Sequence, residues 1–558
     1  MAGEARFRRA ALSGALLAVA STGLFACGGG GGGNAPTPAP PQPVTPTPAP
    51  TPVIGSARFL DRTRDLGLDY FIEDSATDHD SVDKDGIREG GGLALVDIDG
   101  DGGLELYVAH GRNAMGRLFD YDGSRFVRVL DNRGIAPKEI ERAGYFVDLD
   151  ADGYKDFVSV QQRTIEIFRN EGGDRFVEAT AQSHIRHHRS TFSMAAADVD
   201  LDGDLDLFFS HWDGVASVGD VLTEYLWQNT GQGVFVDISD SVAIRAEPFE
   251  ESPGSFGEFS FTPTFADIDD DGYPDMLLAS DAQTSQVLRN EAGIRFVDAT
   301  TDVIDDKNGM GGTVADYDRD GDLDWFVSSI HTLERDDNDV GSDTGNRLYR
   351  NMDGLGNFED ATDEANVRNG DWGWGSCFAD FDNDGHLDLF HTNGYPGVDE
   401  RYEDDPSRLF MSNGDGSFSE RAFSSGVTHD GQGRGTVCAD YNDDGRVDIL
   451  VATSGKAPTL YENVTDNDNH YLAVDLVGLA GNRDAVGARV TIETVSGTQL
   501  QEVQLGTWYL SQGPATLHFG LGRDDAVDTI EVRWPGSGLP RSTLRNVAVD
   551  QRITIEHP

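Results

Sequence analysis

Cysteine is nearly absent from this chain of 558 residues, which holds only Cys27, Cys377 and Cys438. So few exclude a disulfide-built scaffold and the paired-cysteine zinc motifs. Positive charge is scarce too: 43 Lys and Arg stand against 98 Asp and Glu, for a formal net charge of −55. Repulsion of that size excludes nucleic acid and anionic membrane surfaces as partners. Beyond the first residues there is no transmembrane stretch, so any membrane attachment runs through the N-terminus. A nucleophile elbow, a phosphate-cradling Gly loop and a zincin helix are also missing, which weighs against the familiar enzyme classes.

What the chain has instead is one nine-residue loop, Asp-x-Asp-x-Asp-Gly-x-x-Asp, seven times over. The acids at positions 1, 3, 5 and 9 are Asp97, Asp99, Asp101 and Glu105; Asp148, Asp150, Asp152 and Asp156; Asp198, Asp200, Asp202 and Asp206; Asp267, Asp269, Asp271 and Asp275; Asp316, Asp318, Asp320 and Asp324; Asp380, Asp382, Asp384 and Asp388; and Asp440, Asn442, Asp444 and Asp448. Only Glu105 and Asn442 depart from Asp. Four such oxygens, with a backbone carbonyl from position 7, suit one hard cation, and the Gly at position 6 permits the turn around it. The expected cofactor is Ca²⁺, up to seven ions. The loops are not EF-hands, because position 12 is Val108 in the first and Ser159 in the second rather than a bidentate Glu.

Short apolar pieces flank every loop, such as Leu93-Ala-Leu-Val96 before the first and Phe-Val-Ser-Val after Asp156. They read as buried strands. Between loops comes a strand ending near Asn, a Gly-rich turn, then Phe-x-Asp/Glu-x-Thr, as in Asn170 to Thr180, Asn290 to Thr300 and Asn351 to Thr362. That makes four strands per repeat, and loop starts 49 to 69 residues apart suit propeller blades. The last repeat stops at Leu460-Tyr461-Glu462-Asn463 without its Phe-x-Asp-x-Thr strand, which stands instead at the other end as Phe59-Leu-Asp61-Arg-Thr63. A displaced strand of this kind closes a ring. The expected fold is all-β: a seven-bladed β-propeller over residues 55–463, followed by a small C-terminal β-sandwich over 464–558. Glycines before the innermost strands, among them Gly92, Gly311, Gly375 and Gly435, fit backbones that converge on an axis.

Arg6, Arg8 and Arg9 followed by the apolar stretch Ala10 to Leu24 read as an export signal over residues 1–27. Its end, Leu24-Phe25-Ala26-Cys27, resembles the bacterial lipobox, in which the Cys is acylated. Residues 28–54 are a Gly- and Pro-rich linker, and as extended polyproline the part from Ala35 would reach roughly 55 Å. The expected address is the cell envelope or outer-membrane surface through a lipid on Cys27, otherwise secretion. Cys377 and Cys438, each just ahead of an acid loop, read as buried thiols acting as small apolar residues, with a disulfide between adjacent blades as the alternative.

The acid loops resemble the FG-GAP or VCBS repeats of integrin α-chain propellers. The tail, with Gly481-Asn-Arg-Asp-Ala-Val-Gly-Ala-Arg489-Val, Phe519-Gly-Leu-Gly522 and Val532-Arg-Trp-Pro-Gly536, is similar to the ASPIC/UnbV domain. Together, in this order from about Phe59 to the end, they resemble the cartilage acidic protein family, without the Cys-rich EGF-like module of its vertebrate members. The resemblance implies integrin-type calcium loops and a secreted or surface calcium-binding protein, and brings no catalytic residues with it.

Built like an integrin propeller, the chain would present a second face opposite the acid loops. Five residues past each ninth position stand His110, Gln161, His211, Ser280, Ser329, Asn393 and Thr453, all polar. With Trp372, Trp374 and Arg434, and with His184, His187 and His188 nearby, they suggest a ligand face for an extracellular glycan or protein. The competing readings are a polysaccharide lyase or hydrolase, with a His as base and Arg142 or Arg434 offsetting negative charge, and a structural scaffold without a specific ligand.

Overall fold

The structure, a computed structural model, describes residues 57–70, 90–110, 116–185, 190–217, 225–244, 249–252, 255–331, 344–395, 402–454, 456–506 and 508–558, with backbone alone at 213–217, 225, 249–252 and 255–258. The expected export signal, Cys27, the linker, His187 and His188 lie outside the described residues.

The fold is all-β and made of small antiparallel sheets. In each repeat one strand ends just before the first loop acid and the next begins at the ninth, as Glu141–Val147 and Asp156–Gln161 do around the second loop. Ile165–Asn170 and Phe176–Glu178 complete that sheet. The second strand is buried along its whole length because sheets cover both of its faces, hence Phe157, Val158 and Val160 on both sides of it. The fourth strand has three residues, with Phe176 buried and the others turned outward, a short edge that discourages further pairing.

Apolar side chains are shared between consecutive repeats rather than kept within one. Tyr107 and Phe146 belong to one cluster, Phe208 and Phe265 to another, Leu277 and Trp325 to a third. No repeat can therefore bury its apolar surface alone. The cycle of contacts returns to its start: Leu93 and Leu106 pack with Val437 and Leu450, and Gly435 donates its amide to Gly91 O at 3.0 Å. Phe59–Asp61 pairs antiparallel with Thr459–Asn463, Phe59 opposite Asn463. At the inner strands a Cβ on Gly311 would stand 2.1 Å from Trp374 O, which explains the glycine there.

Two features depart from sequence expectation. The third and fourth repeats join into one nine-stranded sheet, because Asp206–Ser217 runs on past its repeat to pair with Ser255–Ala266. Cys377 and Cys438 form a disulfide between neighbouring inner strands, with Cα atoms 6.4 Å apart, so they are not free thiols.

The C-terminal residues form a three-stranded sheet, Leu517–Gly522, His470–Val477 and Gln551–Glu556, and a four-stranded one, Gly497–Glu502, Arg489–Thr494, Ala526–Arg533 and Arg541–Ala548. His470–Val477 and Gln551–Glu556 run parallel, where alternation suggested antiparallel pairing throughout. The expected strand Gln501 to Leu505 stops at Glu502. From Val503 the chain leaves the sheet and enters the space between the inner strands of the repeats. Leu505 accepts from the Ala196 amide at 3.2 Å, and the Gln512 backbone exchanges bonds with Leu93 and Leu95 at 2.8 and 3.0 Å. The Gln512 side chain bonds both N–H and C=O of Phe146, at 2.7 and 2.8 Å. Tyr509, wholly buried, packs on Trp374 and Phe261. This inserted segment makes one continuous core of the tail and the second and third repeats.

The Cys377→Ser variant should unfold at lower denaturant than the parent under oxidising conditions. The closed loop spans 61 residues, and the chain-entropy estimate for it is about 4 kcal/mol. The difference should vanish when both proteins are compared in reductant.

Candidate metal centre

All seven loops share one backbone. Position 4 is left-handed in every copy, from φ 56° at Asn383 to 78° at Gly100, and so is position 6, from 83° at Gly445 to 101° at Gly203. The sixth residue is always Gly, which takes that conformation without strain. Two left-handed residues so close together fold the first acid back over the turn. Asp148 accepts from the amides of Asp152 at 3.2 Å and Gly153 at 2.9 Å, and Asp380 from Asp384 at 3.0 Å and Gly385 at 2.7 Å.

The carboxylates converge. Asp97, Asp99 and Glu105 offer oxygens within 4.8 Å of one another, as do Asp148, Asp150 and Asp152; Asp198, Asp200 and Asp206; Asp267, Asp269 and Asp271; and Asp316, Asp318 and Asp320. This all-oxygen donor set fits a hard divalent ion such as Ca²⁺ and fits no thiophilic metal. Which acids gather varies between loops. The ninth joins the cluster in the first and third loops; the fifth joins it in the second, fourth and fifth.

The ninth acid has a second task in six of the seven copies; in the first, Glu105 accepts from the Ile98 amide at 2.7 Å while its other oxygen pairs with Arg133. One oxygen of Asp275 accepts from the Ile268 amide at 3.2 Å, and the other from the Asn290 amide at 2.7 Å. Asp156 does the same with Leu149 and Asn170, and Asp448 with Tyr441 and Asn463. The Asn side chain then reaches the loop of the preceding repeat: Asn229 to Leu149 O at 2.9 Å, Asn290 to Val199 O at 2.8 Å, Asn351 to Ile268 O at 2.9 Å, and Asn463 to Phe381 O at 2.8 Å. The sixth repeat has Ser412 at this place; it keeps the amide bond to Asp388 and lacks the amide side chain. The recurrent Asn was visible in the sequence, but its partner lies some 80 residues back and no local pattern points to it.

Burial pushes these acids toward the neutral form. Glu105, Asp156 and Asp275 are raised to about 8, chiefly by loss of water. Asp206, Asp324, Asp388 and Asp448 lie well above the ordinary carboxylate range for the same reason. Asp198 and Asp316 reach about 7, and Asp148 and Asp440 about 6. Guanidinium groups soften the repulsion: Arg133 at 3.0 Å from Asp99 and 3.3 Å from Glu105, Arg169 on Asp150, and Arg446 at 2.5 Å from Asp444.

The second-face candidates lie differently from expectation. Seven polar positions, His110, Gln161, His211, Ser280, Ser329, Asn393 and Thr453, are buried. His110 bonds the Tyr70 hydroxyl at 3.3 Å, and burial lowers its pKa to about 3. His211 contacts Thr191 at 3.4 Å, and Asn393 donates to Pro406 O at 2.7 Å. Arg434 is wholly buried, lies 4.4 Å over the Trp374 ring and donates to Gly394 O at 2.7 Å, to which the Trp374 indole also donates at 2.9 Å. Arg142 donates to Thr191 O at 2.8 Å and stacks on Phe192. His184 is exposed at the C-terminus of a one-turn helix. Of the six residues expected to face a ligand, only Trp372 reaches the surface, half-buried and stacked on Tyr395 at 4.5 Å. These polar strand ends lie inside the protein rather than on an open face.

The family described as FG-GAP-like repeat matches residues 148–209 and 267–327, and ASPIC and UnbV matches residues 478–558. Cartilage acidic protein 1 of Xenopus tropicalis is 23% identical over 511 residues, covering 84% of this chain and 64% of its own length. The human protein is 24% identical over 507 residues, covering 84% and 72%. The chain is similar to the cartilage acidic proteins over 84% of its length and carries both matched domains. Each FG-GAP-like match begins on a first loop acid, Asp148 or Asp267, and runs through the next loop. The ASPIC and UnbV match contains the whole inserted segment. The chain spans less than two thirds of the Xenopus relative. Among solved structures, a lectin of Agrocybe aegerita that recognises non-reducing terminal N-acetylglucosamine is 16% identical with a TM-score of 0.36, covering 61% of this chain and 81% of the lectin.

Two measurements probe the centre. Asn290→Ala removes bonds to Val199 O at 2.8 Å and Pro274 O at 3.1 Å, so denaturation should show a loss of about 2–4 kcal/mol. Asn413→Ala, at an exposed turn, should change stability by less than about 0.5 kcal/mol. The second measurement is the pH slope without metal. Glu105, Asp156 and Asp275 hold protons to about 8 when folded, whereas the unfolded chain releases them near 4. Folding thus binds protons across that interval and stability falls as pH rises. Unfolded histidines are largely neutral only above about pH 7.5, so in chelator the melting temperature should decline from there through the folded carboxyl value of about 8. Added Ca²⁺ should flatten the decline.

Proposed function

We propose that this chain is an exported, calcium-stabilised surface protein of the binding or adhesion type. Residues 1–27 are its signal, with Cys27 acylated; 28–54 its spacer; 55–463 a seven-bladed propeller; and 464–558 an ASPIC/UnbV-like β-sandwich. Seven repeats, two of them joined in one sheet, whose inner strands contact one another in a closed cycle support the propeller. Similarity to the cartilage acidic proteins supports the surface role, and no helix among the described residues is long and apolar enough to cross a membrane.

The observation that carries the reading is the repeated acid loop, cross-tied to its neighbour by Asn229, Asn290, Asn351 and Asn463. Ions there would hold the ring rigid, which a ligand platform needs and a flexible linker does not. A lyase or hydrolase draws no support from the described residues: His110, His211, Arg142 and Arg434 are buried on internal partners rather than gathered in an open cleft. The ligand is a glycan or protein, and Trp372 with Tyr395 is the aromatic surface suited to receive it. Burial of the other polar positions favours a pure scaffold as the second reading.

Calorimetry with Ca²⁺ should give dissociation constants of ~10⁻⁴ to 10⁻³ M, as in extracellular modules, and chelator should lower the melting temperature. Absence of both effects would sink the calcium reading. A glycan and extracellular-protein array, probed with and without chelator, should give a Ca²⁺-dependent signal that Trp372→Ala weakens at least tenfold without moving the melting temperature. No signal at all would leave the scaffold.

A further inference from the structure

Several loops touch the C-terminal domain, the sixth through His518 on Asn383 at 2.8 Å and Asn467 and Asn469 on the Asp382 carbonyl, but the fourth runs into a buried row of charge on it. Glu502, Arg489 and Arg533 occupy one register across three adjacent strands, Arg489 opposite both of the others. All three are buried. Two arginines side by side on one sheet face repel unless anions separate them. Glu502 holds Arg489 at 2.9 Å. The remaining anions come from the loop: Arg533 reaches Asp267 Oδ2 at 2.5 Å and also Asp270, while Arg489 reaches Asp270 at 3.0 Å and the Asp267 carbonyl.

We infer that the fourth loop is filled from within, the Arg489 and Arg533 guanidinium groups standing where a cation stands in the other loops, and that it serves as the dock of the C-terminal domain. The inference rests on the calcium reading of the remaining loops.

The comparison among loops carries it. The first acids of the third, sixth and seventh loops, Asp198, Asp380 and Asp440, bond backbone amides of their own loops. Asp267 has the same pair, from Asp271 at 3.1 Å and Gly272 at 3.0 Å, and Arg533 in addition on the oxygen that Gly272 already uses. Both lone pairs of that oxygen are therefore engaged. Arg289 brings a third guanidinium, 3.5 Å from Asp269. Among the described residues the first, second and fifth loops each pair with one, Arg133, Arg169 and Arg350, and the seventh with two, Arg446 and the half-exposed Arg552 on Asp443. A divalent ion entering the fourth loop meets positive charge at contact distance in a poorly solvated site. Displacing the arginines would strip Arg533 of its Asp267 and Asp270 anions while it stays buried, the costliest way to break a buried ion pair. The fourth loop keeps its shape, since its left-handed residues Asp270 and Gly272 match the others; only the counter-ion differs.

Ion counting by native mass spectrometry on the full chain at saturating Ca²⁺ tests this. Asp198→Asn should lose one ion relative to the parent, whereas Asp267→Asn should lose none and instead speed proteolytic release of the C-terminal domain. Should Asp267→Asn fold poorly, Arg533→Gln is the second variant, expected to gain one ion. Loss of an ion by Asp267→Asn, or no gain by folded Arg533→Gln, overturns the inference. No bound ion in any protein overturns the calcium reading beneath it, a distinguishable result.

Discussion

The ninth-position carboxylate joins two kinds of order. In Asp275 one oxygen closes the acid loop on Ile268 and the other fixes Asn290, whose side chain grips the previous loop at Val199. Loop shape, strand end and neighbour contact are thus set by one buried group. Such a group is expensive to ionise away from water, so protons or a cation must stabilise it, and ring integrity becomes coupled to the occupancy of the loops.

Sequence reveals features that repeat, because the demands of ion geometry recur at fixed spacing. The left-handed turn needs Gly102, Gly153 and their equivalents, and converging oxygens need acids two residues apart, so the loops could be read one by one. The displaced strand at Phe59 could be read for the same reason: its pattern was missing elsewhere. Features that occur once were hidden. Val503 to Leu505 continues the alternation of a strand, yet from Val503 the chain leaves its sheet to fill the space between the inner strands. Polar residues ending the second strands look like surface, yet Gln161, His211 and Asn393 sink inward and bond to neighbours. The Asn clasp lay between the two cases, repeated in sequence but satisfied by a distant carbonyl.

The C-terminal residues are bound to the repeats along their whole reach. Arg552 holds Asp443 at 2.9 Å, Lys155 pairs with Asp484, and Asn467 and Asn469 both donate to Asp382 O, at 2.6 and 2.8 Å. Together with Tyr509 and Gln512 between the inner strands, these contacts make the tail a structural member of the ring. Surface ion pairs alone would contribute little; the buried aromatic and amide contacts give the attachment its strength.

The inserted segment also dictates a schedule. Ser511 bonds Leu93 across 418 residues of chain, and Gln512 bonds Phe146 across 366. Contacts that remote form late, since loop-closure entropy must be overcome before they stabilise anything. The first repeat therefore cannot reach its final packing until nearly the last residues have emerged, and a chain truncated before Tyr509 would present an open, unfilled ring. Maturation of this molecule is thereby tied to completion of its synthesis.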